Sequence, residues 1–189
     1  MDSYLEGVRA AAQEFPEIDV RCSVEAKIMN TSGELDVPSD FDLTKLDAVH
    51  SSDHRFPLDE PMAPQDVASM LADGHVTEPE LWDALLTATC ASIERYPGVI
   101  VAHPLSILPK VGLRPQDVPA GFGEVLAAQV LRHGAVVEVN NKWSCPSVEL
   151  VRELHAFGAP IVAASDAHHL GETGSTEYLE SIRATVGSG

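Results

Sequence analysis

Imidazole and carboxylate side chains stand where four predicted strands of this sequence end, and these are the groups that hold Zn²⁺, Mn²⁺ or Fe²⁺. Asp166 and His168 lie in Ser165-Asp166-Ala167-His168, directly after the apolar run Pro160-Ile161-Val162-Ala163-Ala164. Such a run reads as a buried strand. Two residues apart, the carboxylate and the imidazole point roughly the same way. Glu25 follows the run Ile18–Val24, His54 falls just beyond Leu46–Ser52, and His103, before Pro104, follows Val99–Ala102. Each comes from a different strand, so they become neighbours only in a sheet curled into a barrel or tight fan. The carboxyl edge of an α/β sheet is where ligands and catalytic groups collect. Three protein ligands with an open position can turn bound water into a nucleophile of pKa about 7, and two metals can clamp the oxygens of a phosphate ester.

The elements that would position these groups alternate. Helices are expected over 2–14, 64–72, 78–95, 123–132, 146–157 and 176–186, with strands at 18–24, 46–52, 99–102, 135–139 and 161–164. Thr77 is a plausible N-cap and Gly158 a C-terminal stop. Strand–helix alternation implies parallel strands with helical crossovers. Pro-rich or Gly-punctuated loops cover Arg55–Pro64 and Pro104–Gly121. The expectation is one domain over residues 1–189, with no internal repeat or dividing linker.

Composition narrows the classes. Twelve Lys and Arg face 29 Asp and Glu, a formal net charge of −17. That disfavours a nucleic-acid groove, which needs clustered cations. It leaves room for a small phosphorylated substrate, because bound divalent metals reverse the local field. Cys22, Cys90 and Cys145 form no CxxC pair, so neither a disulfide framework nor a thiolate zinc site is expected. The amino terminus lacks the pattern of a secretory signal and no stretch is long and apolar enough to span a bilayer, so no membrane association and a cytoplasmic location are expected. No nucleophile-elbow serine and no Gly-rich phosphate loop is present.

Taken together, the segments resemble the PHP (polymerase and histidinol phosphatase) family. Val24-Glu25-Ala26-Lys27-Ile28 is similar to the family's G-x-E-A segment, with Ser23 in place of its glycine. Asp47 to His54 is similar to D-x-x-x-x-S-x-H, and Ala102-His103-Pro104, Ser165-Asp166-Ala167-His168 and Glu138-Val139-Asn140 match three further motifs. The resemblance implies an incomplete distorted (β/α)7 barrel, with about five parallel strands and outer helices. It implies one to three divalent ions (Zn, Mn or Fe). Glu25 would bridge two of them, His54 and His103 would complete one, Asp166 would bind a second and His168 a third or the nearest. The implied reaction is hydrolysis of a small-molecule phosphate monoester by a metal-activated water. Asp166 or His168 would assist proton transfer, and Lys27 or Lys142 would offset phosphoryl charge.

The chain departs from the family in one respect: it has no histidine before His50, so the strand ending in H-x-H has no counterpart. The expectation is an N-terminally truncated relative whose strands at Val20–Val24 and Ile161–Ala164 are unpaired edges, open to a homo-oligomer. A degenerate remnant that binds metal or a protein partner without turnover is the alternative. An open doubly wound sheet of unrelated function is a third reading, which fits the alternation but not the ligand types at strand ends.

Plainer roles exist for each residue: Glu25 as an exposed carboxylate, His103 as a turn histidine, Asp166 as an Asx turn, His168 as a surface side chain. Their shared placement favours the metal reading. His50 is expected as a core or wall residue, His75 as solvated, His133 and His155 as helix-end cations, and His169 as diverging from His168. Asp53 reads as an outer partner or, more plainly, a solvated loop carboxylate. Glu138 reads as a ligand-orienting group or a partner of Lys142, and Trp82 and Trp143 as packing residues.

Overall fold

Five parallel strands form the sheet, and they lie side by side in the order in which the chain makes them. The structure is a computed structural model that describes residues 2–186. Helix α1 (Asp2–Glu14) precedes β1 (Ser23–Lys27) and β2 (Ala48–Ser52). A short antiparallel pair, β3 (Phe56–Pro57) and β4 (Pro61–Met62), leads into α2 (Pro64–Ala72) and α3 (Glu78–Arg95). Then follow β5 (Ile100–Ala102), α4 (Phe122–His133), β6 (Val136–Asn140), α5 (Val148–Ala156), β7 (Ile161–Ala164) and α6 (Glu177–Val186). The order β1-β2-β5-β6-β7 contains no reversal. A doubly wound sheet requires one, so that reading is set aside; a singly wound α/β sheet compatible with a partial barrel is what forms.

Winding in one direction puts the crossover helices on one face, because parallel crossovers are right-handed. Val49, Val101, Val137 and Ile161 of the sheet pack there against a core that includes Leu85 of α3, Leu126 of α4 and Leu150 and Leu154 of α5. Alternation sends the intervening residues to the other face. Register places Glu25 beside His50, His50 beside Ile100, and Glu138 beside Val162. The second face thus carries the polar side chains, and Val162 on it is 40% exposed.

Local chemistry sets the helix ends. The Glu80 carboxylate accepts from the Thr77 N–H at 2.8 Å, half of a capping box at the start of α3. Ser147 caps α5 by accepting from the Leu150 N–H, so this helix begins two residues later than its apolar pattern suggests. Gly134 ends α4 with φ 66°. Gly33 (φ 73°) serves a close approach: an added Cβ would stand 2.1 Å from the Ser92 backbone nitrogen in α3.

The first strand departs from expectation. Ile18 is 59% exposed and the apolar run around it forms turn and coil. Cys22 and Asp47 fix the register instead: Asp47 Oδ2 accepts from the Cys22 N–H at 2.7 Å, and Cys22 O accepts from the Asp47 N–H at 2.8 Å. Pairing therefore starts at Ser23 opposite Ala48 and runs to Lys27 opposite Ser52. Glu25 lies within the strand, not past its end. Beyond it the chain turns back, and Asp36 holds the edge through Lys27 N–H to Asp36 Oδ1 at 2.6 Å and Asp36 N–H to Lys27 O at 3.0 Å. As expected, β1 and β7 are the edges of the sheet. No described helix is long and apolar enough to cross a membrane.

Candidate metal centre

Three adjacent strands deliver three donors to one spot. Glu25 projects from β1, while His54 and His103 each sit just past the carboxyl ends of β2 and β5. Glu25 Oε1 lies 2.9 Å from His103 Nε2 and 3.1 Å from His54 Nε2. One ligand atom from each residue falls within 4.8 Å of the others, the one such group of three or more among the described residues. The two imidazoles stack with centroids 5.0 Å apart and planes 8° from parallel, presenting both Nε2 atoms to one carboxylate oxygen. Donors around a single tetrahedral ion with bonds of about 2.0–2.2 Å sit roughly 3.3–3.6 Å apart. The two contacts to Glu25 fall only a few tenths of an ångström short of that spacing. Two imidazoles and a carboxylate, with His54 and Glu25 open to solvent and His103 buried, fit a divalent cation with a position left for substrate or water.

His103 is held from behind. The Ser106 hydroxyl donates to Asp53 Oδ1 at 2.9 Å, so its oxygen accepts from His103 Nδ1–H at 3.0 Å. Asp53 Oδ1 is itself 3.6 Å from Nδ1, an ion-pair distance. The arrangement fixes the tautomer and turns Nε2 toward Glu25, as the outer partner of a metal-bound imidazole does. Asp53 is 6% exposed and Ser106 7%, so the solvated-loop role for Asp53 does not hold. Among the described residues Asp53 Oδ2 and Ser51 Oγ have no hydrogen-bond partner; both residues line one cavity of about 10 Å³, room for about one water.

Glu138 is buried behind the same histidine. Its Oε1 accepts from the His103 N–H at 3.3 Å and from Asn140 Nδ2 at 2.7 Å, and its Oε2 lies 3.7 Å from His50 Nδ1. It is a scaffold for His103, and Lys142 is placed over Trp143 instead. His50 is the half-buried wall residue expected of it.

Charge follows this geometry. Hydrogen bonds from His103 first and His54 next hold the Glu25 carboxyl well below the usual carboxylate range. Burial works against a charged His103, but the Asp53 and Glu25 carboxylates outweigh it and push the imidazolium up to about 10. Cys145, buried among the Asp53, Glu138 and Asp166 charges, has its thiol pushed up, as suits a neutral core side chain rather than a metal thiolate.

Asp166 and His168 stand outside the three-donor group. Asp166 Oδ2 accepts from Trp143 Nε1–H at 2.9 Å, and its backbone oxygen accepts from His168 Nδ1–H at 2.9 Å. The His168 side chain is exposed. Asp166 Oδ1 lies 3.5 Å from His168 Nδ1. A relay of contacts joins this pair to the centre: Trp143 N–H donates to Asn140 Oδ1 at 3.0 Å, and Asn140 reaches Glu138 and so His103. Of the two lysines considered, Lys27 is paired with Asp36 at 2.8 Å.

Backbone strain concentrates at this rim. Among the described residues, the non-glycine positions with positive φ are His103 (31°), Leu105 (70°), Ser144 (49°) and Asp166 (51°). All four lie in the loops after β5, β6 and β7, and such conformations persist where the surroundings over-determine them. Sequence reading missed Ser106, for which no motif stands, and read Trp143 as packing although it is 44% exposed. Trp82, 5% exposed and edge-on to Phe122, is the packing residue expected. His75, His155 and His169 are exposed and outside the three-donor group. No protein-family model matches the chain, and no curated protein matches it.

Proposed function

We propose that the chain is a metal-dependent phosphoesterase of the PHP type, acting on a phosphate monoester of a small molecule. The observation that carries this reading is the convergence of His54 and His103, from the ends of β2 and β5, on one carboxylate oxygen of Glu25 in the neighbouring β1. A divalent cation held there supplies Lewis acidity toward a phosphoryl oxygen and the attacking water. Glu25 contributes a charged oxygen and the two histidines neutral nitrogens, a mixed set suited to Zn, Mn or Fe. Asp53 and Ser106 keep the His103 lone pair aimed at the centre, and Glu138 fixes the backbone from which that ring projects. In this reading Asp166, steadied by the Trp143 indole, or His168 would hold or give the proton that the leaving oxygen takes.

The test is metal analysis of purified protein together with turnover of an aryl phosphate. Tight occupancy by Zn, Mn or Fe, with hydrolysis that His103→Ala abolishes, is the expected result. One observation favours a second reading, a metal-binding protein without turnover: Asp166 and His168 pair with each other outside the three-donor group. A folded, metal-loaded and inert protein would establish it.

A further inference from the structure

We infer that Lys110, Lys142 and Trp143 form an anion-binding subsite at the rim of the candidate centre, taking a second anionic group carried by the leaving portion of the substrate. The inference rests on the phosphoesterase reading for its meaning, but not for its test.

Lys110 comes from the 3-10 turn Leu108–Val111 in the loop after β5, and Lys142 and Trp143 from the loop after β6. Their Nζ atoms stand 5.2 and 5.8 Å from the centroid of the Trp143 ring. Cation–π attraction holds each ammonium by the Trp143 ring without neutralising it. No carboxylate lies within ion-pair distance of either among the described residues, and Glu172, the acidic neighbour, is engaged by the His168 N–H at 2.8 Å. Two lysines gathered around one indole, neither in an ion pair among the described residues although Glu172 feels the Lys142 charge, are notable in a chain with 12 basic and 29 acidic residues. A net charge of −17 repels polyanions at long range, and cations beside the site would add to a bound metal in offsetting that field for a second anionic group. The same indole donates to Asp166 Oδ2, which ties the patch to the proposed proton donor. The reacting phosphoryl group is served by the metal ligands; the lysines, from the loops after β5 and β6, are assigned to what is attached to it. The ligand class is therefore a phosphate ester bearing a further phosphate or carboxylate.

Trp143 is its own reporter, since Trp82 is buried and remote from solvent. Pyrophosphate is titrated into the chelator-treated full chain while indole emission is followed. A saturable change is expected, absent in Trp143→Phe, weakened about tenfold or more in Lys110→Ala/Lys142→Ala, largely retained in Lys110→Arg/Lys142→Arg, and reduced by added salt. Unsaturable quenching, or equal affinity in the double alanine variant, overturns the inference. With metal restored, the ratio of kcat/KM for a doubly anionic ester to that for a plain aryl phosphate should fall about tenfold in the double alanine variant, mainly through KM; an unchanged ratio also counts against it. A wild-type protein that hydrolyses nothing removes the phosphoesterase reading, while the titration still decides the subsite.

Discussion

Glu25 Oε1 lies 2.9 Å from His103 Nε2, across 78 residues of sequence. The contact exists because β1 and β5 flank β2 in an unreversed sheet, so that a mid-strand carboxylate and a strand-end imidazole reach the same height. Glu25→Gln keeps the shape and removes the anion. Zinc affinity, measured by competition with a chromophoric chelator, should fall by more than the roughly 10–100-fold typical of losing an outer partner. Unchanged affinity would show that no ion uses this oxygen.

Ser106 and Asp53 act on metal through His103. Ser106→Ala should weaken metal binding about 10–100-fold and Asp53→Asn similarly, with the fold retained by far-UV circular dichroism. Because both variants free the tautomer, the pH at which metal binding reaches half its maximum should also move. A purely structural role would lower the melting temperature and leave that pH midpoint where it was.

Stability of the metal-free protein should depend on pH on both sides of a plateau. The folded His103 titrates near 10 against an ordinary 6.5, so its contribution is complete below about 6.5 and is lost as pH rises toward 10. Glu25 is shifted the other way from 4.5; its contribution holds above that value and fades as pH falls. Urea midpoints in chelator should therefore decline from about pH 6 through about pH 8 to about pH 9.5. His103→Gln should flatten the alkaline limb. A midpoint constant across that range would contradict the assignment.

Gly33→Ala should destabilise the fold without touching the site. The residue sits at φ 73° and its missing Cβ faces the backbone of α3, which cannot rotate away. The cost should be about 2 kcal/mol or more, as for overpacking against a rigid neighbour, read from chemical denaturation.

Much of this was legible because strand ends announce themselves chemically. An apolar run stopping at His103-Pro104 or Ser165-Asp166 marks both an element and a candidate ligand, and β5, β6 and β7 fall where those runs do. Glu25 was found for a partly mistaken reason. The apolar run near Ile18 suggested a strand ending before it, whereas the backbone pairing of Cys22 with Asp47 sets the register and places Glu25 inside the strand. The start of this pairing depends on a contact between residues 25 positions apart, which the run near Ile18 does not reveal. Ser106 was invisible for a similar reason: a lone serine three residues after a histidine gains its role from an Asp 53 positions away.

The left-handed residues around the rim set stability and chemistry against each other. Leu105 fills core and His103 is a donor, so neither can yield to glycine without loss. Ser144 is exposed and has no such duty, and glycine there would relieve roughly 1 kcal/mol. A library sorted solely for heat endurance should thus drift toward glycine at Ser144, and even at Asp166. One sorted for turnover should keep Asp166 in its awkward pose, so comparing the survivors would reveal which demand shaped this rim.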